Sequence, residues 1–177
     1  MKFSETGLDG AFVIEIEPRL DERGFFSRAW CRREFEAAGI RIDFVQANIA
    51  FSNNKGTLRG MHFQRAPHAE SKLWRCVRGA IFDVMIDLRL NSPTFKKWFG
   101  IELTSDNHKM TLIPEGFAHG YLTTADNTEV FYLVSAFYTP EAEGGVRWDD
   151  PAFGVRWPMT GNLIISEKDK NWPDFRG

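Results

Sequence analysis

From residue 42 onward, short apolar runs follow one another with turn signals every 8–12 residues. The runs cover 42–51, 57–63, 72–78, 80–88, 98–104, 110–113, 120–124, 129–138 and 145–148. Asn53, Asn54, Lys55 and Gly56 break the series, as do Asn91, Ser92 and Pro93, and then Ser105, Asp106 and Asn107. Runs of this length bounded by such residues predict strands, and strands at this spacing predict an antiparallel sandwich or barrel rather than β-α units. Upstream, 11–16 reads as a further strand rich in β-branched and aromatic residues. The stretch 30–39 carries helix formers and a closing Gly39, so it predicts one short helix. A second helical turn is expected after Ser166. The fold class is all-β, a jelly-roll sandwich or barrel with a few short helices.

Phase within the strands carries chemical information. Asp83 and Asp87 lie four apart in 80–88 and so share one face with Ile81 and Met85. Unpaired burial of these carboxylates would be costly, so that face is either wet or lines a polar cavity. Tyr132 and Tyr138, six apart in the run 129–138, are also expected on one face, as a stacking platform and a phenol donor.

Bulk properties narrow the function classes. The 177 residues fit one domain, and 43% hydrophobic and 14% aromatic content suit a globular core. A net charge of -2 gives no electrostatic case for nucleic acid or an anionic membrane. No stretch approaches the roughly 18 consecutive apolar residues of a membrane span, and the N-terminus lacks the apolar centre of a signal peptide. The two cysteines, Cys31 and Cys76, read as reduced thiols of a cytoplasmic protein.

Two segments carry the candidate chemistry. The first, Gly60 to Gly79, reads G-M-H-F-Q-R-A-P-H-A-E-S-K-L-W-R-C-V-R-G, and the second, Pro114 to Gly120, reads P-E-G-F-A-H-G. The pair resembles the two signature segments of the cupin superfamily, whose metal-binding members carry H-x-H in the first. Gln64 stands where the second histidine would be, and an amide is a poor ligand for a soft divalent metal. His62, His119, Lys72 and Tyr132 remain, which points to proton chemistry with no metal and no cofactor. His68 and His108 fall in expected loops, and Trp98, Trp148, Trp157 and Trp172 read as packing residues.

The resemblance extends further. The stretches D-E-R-G-F-F (21–26), F-V-Q-A-N (44–48), G-T-L-R-G-M-H-F-Q (56–64), K-L-W-R-C-V-R-G (72–79), F-D-V-M-I-D-L-R (82–89), S-P-T-F (92–95), I-P-E-G-F-A-H-G (113–120), F-Y-L-V-S-A-F-Y-T-P (131–140), W-D-D-P (148–151) and S-E-K-D (166–169) occur in order along the chain. In these it resembles the deoxysugar epimerases typified by dTDP-4-dehydrorhamnose 3,5-epimerase, which are metal-free cupins. The resemblance implies an isomerase that inverts C3, C5 or both in a nucleoside-diphosphate 4-keto-6-deoxyhexose. Such chemistry needs a base on one face of the sugar, an acid on the other and a stabilised enolate oxygen between them.

By that resemblance His62 is the base, oriented by Asp169, and Tyr132 the acid. Lys72 sits against the enolate oxygen with His119 nearby. Arg59 and Arg23 match diphosphate-contacting positions, Tyr138 the pyrimidine-stacking position, and Gln46, Asn48, Glu143 and Lys168 other ligand contacts. Arg23 and Phe26 are implied to arrive from a second subunit, hence a homodimer.

Departures from the family pattern keep alternatives open. Arg28 stands where G-F-F-x-E has its acid, replacing an acceptor with a donor that suits a cytidine nucleotide. Ala47, Ala50 and Val134 are further departures. The alternatives are a C3-only epimerase on a CDP-linked sugar, a catalytically silent sugar-nucleotide binder, a metal-dependent cupin and a 3,4-ketoisomerase.

Overall fold

The computed structural model describes residues 1–176. Strands and helices are numbered in chain order. One six-stranded antiparallel sheet runs β1 (Lys2–Glu5), β2 (Phe12–Glu15), β10 (Lys109–Ile113), β7 (Lys72–Arg78), β12 (Thr128–Val134), β5 (Gln46–Ser52). The second runs β13 (Glu143–Gly145), β6 (Thr57–Gln64), β11 (Phe117–Thr123), β8 (Ala80–Asp87), β9 (Trp98–Thr104), with β14 (Ile164–Ile165) added in parallel to β6. A separate hairpin is formed by β3 (Arg19–Asp21) and β4 (Gly24–Phe26). Two short α-helices, α1 (Arg32–Ala37) and α2 (Glu167–Lys170), and a 3-10 turn at Pro140–Ala142 complete the elements among the described residues. The fold is the expected cupin-type jelly-roll sandwich.

Alternation within the strands explains the layering. On β8, Ile81 and Met85 face the core between the sheets, while Val84 and Ile86 face a second core under the C-terminal segment. All four are fully buried. Removing each from water favours folding by roughly 1.5–3 kcal/mol. A third cluster lies outside the first sheet, where Phe35 of α1 covers Ile14, Leu73, Met110 and Leu112. Gly39, at φ +79°, ends α1 in the left-handed region.

That cover does not reach β5. This strand is the edge of its sheet, and its outward Ile49 and Phe51 are exposed, Ile49 by 66%, with Val45 exposed just before it. The β3–β4 hairpin likewise exposes Leu20 and Phe26.

Several expectations need correction. The 129–138 run stops as a strand at Val134, and Ser135–Tyr138 turns away, so Tyr138 does not share a strand face with Tyr132. Asp83 and Asp87 are fully buried and are neither wet nor on the cavity surface. Asp83 bonds Thr111 and His119, while Asp87 is held by Arg89, Ser92 and Thr94. Those contacts outweigh the opposing effect of burial and bring the Asp87 carboxyl down to about 2. β11 begins at Phe117, three residues before the apolar run assigned to it, and β1, the β3–β4 hairpin and β14 had no run of their own. His108 is half-buried against the Phe25 ring at 4.9 Å instead of free in solvent. Both cysteines are free, and burial pushes the Cys76 thiol up to about 11. No helix among the described residues is long and apolar enough to cross a membrane.

Candidate active site

Between the two sheets, where β5 edges the first and β6 runs beside β13 and β14 in the second, lies a cavity of about 790 Å³. This is within the range of small-molecule sites. The first sheet contributes Gln46, Asn48, Lys72, Trp74 and Tyr132 to one wall. The second contributes Arg59, His62, His119 and Tyr121 to the other.

The histidine wall is fixed by a close approach of strands. His62 on β6 and His119 on β11 are register partners, next to an irregularity between His119 and Tyr121. A methyl group added at Gly60 would lie 2.5 Å from the Gly120 Cα, so this contact requires glycine. The freed Gly60 amide donates to Asp169 at 3.3 Å.

Asp169 is placed by α2. Ser166 caps that helix, its hydroxyl accepting from the Asp169 amide at 3.1 Å. The Asp169 carboxylate then reaches the His62 Nε2 at 2.7 Å. Burial pushes this carboxyl up, but the contacts from His62 and Gly60 outweigh it and hold it below its ordinary value. An ionised carboxylate only accepts, so Nε2 carries a proton toward Asp169, and Nδ1 is the ring nitrogen that Asp169 does not engage. Trp172 packs over Gly145 and stands edge-on to the His62 ring at 6.4 Å.

His119 is a different kind of histidine. Its Nε2 lies 2.8 Å from Asp83, and its side chain is 3% exposed. Burial lowers its proton affinity, which the Asp83 charge only partly restores, so the ring is neutral. A neutral ring donating to Asp83 has no second proton to offer.

On the facing wall Tyr132 stacks on Trp74 at 4.0 Å, and Trp74 meets His119 edge-on at 4.6 Å. Burial raises the proton affinity of the Tyr132 phenol, and the Glu70 charge adds to it against Arg59. The Lys72 side chain is 10% exposed, with its ammonium 3.3 Å from Glu70. At the mouth Glu143 binds Lys168 at 2.5 Å and the Tyr138 hydroxyl at 2.9 Å. The Tyr138 amide donates to Gln46 at 2.9 Å. Arg59 spans to the Phe51 carbonyl at 3.2 Å.

Residues 5–177 match a family model described as dTDP-4-dehydrorhamnose 3,5-epimerase. The chain belongs to this family. A dTDP-4-dehydrorhamnose 3,5-epimerase from Methanothermobacter thermautotrophicus is 46% identical over 177 residues, covering 99% of this chain and 95% of its own. The crystal structure of the Bacillus anthracis enzyme with TDP and PPi bound superposes with a TM-score of 0.95 at 41% identity, covering 98% of this chain and 99% of that one. A Legionella pneumophila epimerase in complex with dTDP-4-keto-L-rhamnose matches with a TM-score of 0.89 at 36% identity, over 95% and 89% of the two chains.

In this epimerase fold the cavity brings together Gln46, Asn48, Arg59, His62, Lys72, His119, Tyr132, Tyr138, Glu143, Lys168 and Asp169. Tyr138 arrives by a turn held on Gln46 and not by strand phase. Arg23, Phe26 and Arg28 do not line it. Arg23 pairs with Asp21 at 2.6 Å, and Arg28 pairs with Glu34 at 3.1 Å beside a second cleft that Phe26 also lines. The Gln64 amide donates to the His68 and Phe137 carbonyls and accepts from the Thr139 amide, a structural tie at the cavity rim.

Glu70, Trp74 and Tyr121 are cavity residues that sequence reasoning missed. Trp74 is two positions from Lys72 on β7, and Glu70 is two before it, so period-two phase was an available signal. Tyr121 follows His119 by the same interval.

Proposed function

We propose that this chain inverts C3 and C5 of a dTDP-linked 4-keto-6-deoxyhexose, with His62 as base and Tyr132 as acid. The observation that carries this reading is their placement on opposite walls of one cavity. Epimerisation needs the proton to leave from one face of the ring and return from the other.

The sequence of steps follows from the tautomers. His62 takes the C3 proton on Nδ1, and Asp169 balances the imidazolium through Nε2. The electron pair moves onto O4, where the Lys72 ammonium stabilises the enolate. Tyr132, kept protonated by its burial, delivers a proton to the opposite face of C3. Exchange with solvent restores both groups, and C5 follows the same course. His119, with its proton committed to Asp83, positions Trp74 and hence Tyr132.

Arg59 is assigned to the diphosphate, Tyr138 to stacking on the pyrimidine, and Gln46, Asn48, Glu143 and Lys168 to the rest of the ligand. The chain also pairs with a second copy through the uncovered outer row of β5 and the apolar hairpin. That pairing gives Arg23 and Phe26, outside their own chain's cavity, access to the partner's diphosphate. Arg28, paired with Glu34 outside this chain's cavity, is given no ligand contact here.

The test is NMR in D2O with the dTDP-linked 4-keto-6-deoxyglucose, following H3 and H5. Loss of both signals with inverted product supports the reading. No exchange with intact protein overturns it.

A further inference from the structure

Three carboxylates line the cavity among the described residues, and two of them are committed. Asp169 serves His62, and Glu143 takes both Lys168 and Tyr138. Glu70 is the exception. Its side chain is 12% exposed, it lines the cavity, and its one ion pair is the 3.3 Å contact with Lys72. A carboxylate offers about four lone-pair directions, and a single ammonium occupies one of them. No other group among the described residues donates to it, so its remaining directions are open to a hydroxyl of a ligand in the cavity.

The geometry points to Glu70 as the residue that reads the hydroxyl beside the substrate's carbonyl. This rests on the proposed function, in which Lys72 faces O4. An ammonium and a carboxylate 3.3 Å apart complement a carbonyl and a hydroxyl on adjacent carbons. In a 4-keto-6-deoxyhexose the carbonyl has two neighbours. C3 bears a hydroxyl, which can donate to Glu70, and C5 bears a methyl group, which cannot. The pair therefore fixes which way round the ring lies, with C3 toward Glu70 and C5 away from it. That orientation sets which carbon meets His62 first. Glu70 is a specificity residue for a 3-hydroxylated sugar, and when the cavity is empty it also keeps Lys72 from swinging to solvent.

The experiment compares two substrates in three proteins. The substrates are the dTDP-linked 4-keto-6-deoxyglucose and its 3-deoxy analogue, and the proteins are wild type, Glu70→Gln and Glu70→Ala. Exchange at C5 in D2O is read throughout, because both substrates carry that proton. Wild type is expected to prefer the hydroxylated substrate by about 10- to 100-fold in kcat/KM, the range for one hydrogen bond to a charged group. Glu70→Ala is expected to abolish this preference, slowing the hydroxylated substrate by at least about 10-fold more than the 3-deoxy analogue. Glu70→Gln retains an acceptor and is expected to keep part of the preference.

Equal slowing of both substrates by Glu70→Ala would show that Glu70 serves only to place Lys72, and the proposal falls while the epimerase reading stands. An undiminished preference in Glu70→Ala likewise overturns it. Absence of exchange in wild type on the hydroxylated substrate removes the epimerase reading itself, and with it the proposal.

Discussion

The His62 imidazole and the Asp169 carboxylate, 107 positions apart in sequence, meet at 2.7 Å because α2 is capped by Ser166 and backs onto Gly60. The carboxylate accepts from Nε2 and leaves Nδ1 free to take a proton. Asp169→Asn offers an amide that can donate instead, and the ring then turns to the tautomer with its proton on Nδ1. Exchange at both C3 and C5 is expected to fall by about 10²- to 10⁴-fold, with dTDP affinity retained. Single-turnover NMR and nucleotide titration check the two halves separately. Retained exchange would remove Asp169 from the base.

Tyr132→Phe keeps the ring on Trp74 and deletes only the phenol. Proton removal by His62 is expected to continue, so deuterium enters C3 and C5 with retained configuration. Inversion is expected to drop by at least about 10²-fold, the usual contribution of a general acid. The check is chiral analysis of the product beside its deuterium content. Equal loss of exchange and inversion would assign the first proton transfer to Tyr132.

Acid stability has a defined sign at Asp87. Its folded-state value, about 2, lies below the unfolded reference of 3.8. The stabilisation is therefore present above the unfolded value and is lost as pH falls toward about 2. It amounts to about 2 kcal/mol at neutral pH. Asp87→Asn is expected to flatten the pH dependence of urea unfolding between about pH 4 and pH 2, and an unchanged slope would contradict the assignment.

Ile49 is exposed on the edge strand β5 and is assigned to the pairing of two copies. Ile49→Lys places a charge there and is expected to alter the chain's own stability by under about 0.5 kcal/mol. Sedimentation velocity is expected to shift from dimer to monomer. The monomer should bind dTDP more weakly, because Arg23 no longer crosses. Arg23→Ala in the dimer should weaken binding by a similar factor. A wild type that sediments as a monomer would refute the pairing.

Local pattern carried most of the architecture. Period-two apolar runs located the strands β5 to β10 to within four residues, since each must bury a face whatever its partner. The helix α1 was legible from its formers and Gly39, and the α2 turn from Ser166. The short elements β1, β3, β4 and β14 were not legible, because three or four residues carry too little periodicity. The individual site residues entered through family resemblance, and the sequence alone placed no two of them in contact. Tertiary structure decided three things. It joined His119 to Asp83 and supplied the 2.7 Å contact between His62 and Asp169, a pair that only the resemblance had implied, and both depend on sheet register and chain crossing. It carried Tyr138 to the cavity by a turn, where strand phase had pointed to the wrong cause. It also buried Glu70 beside Lys72, and depth of burial is a property of what packs around a residue, which no local pattern records.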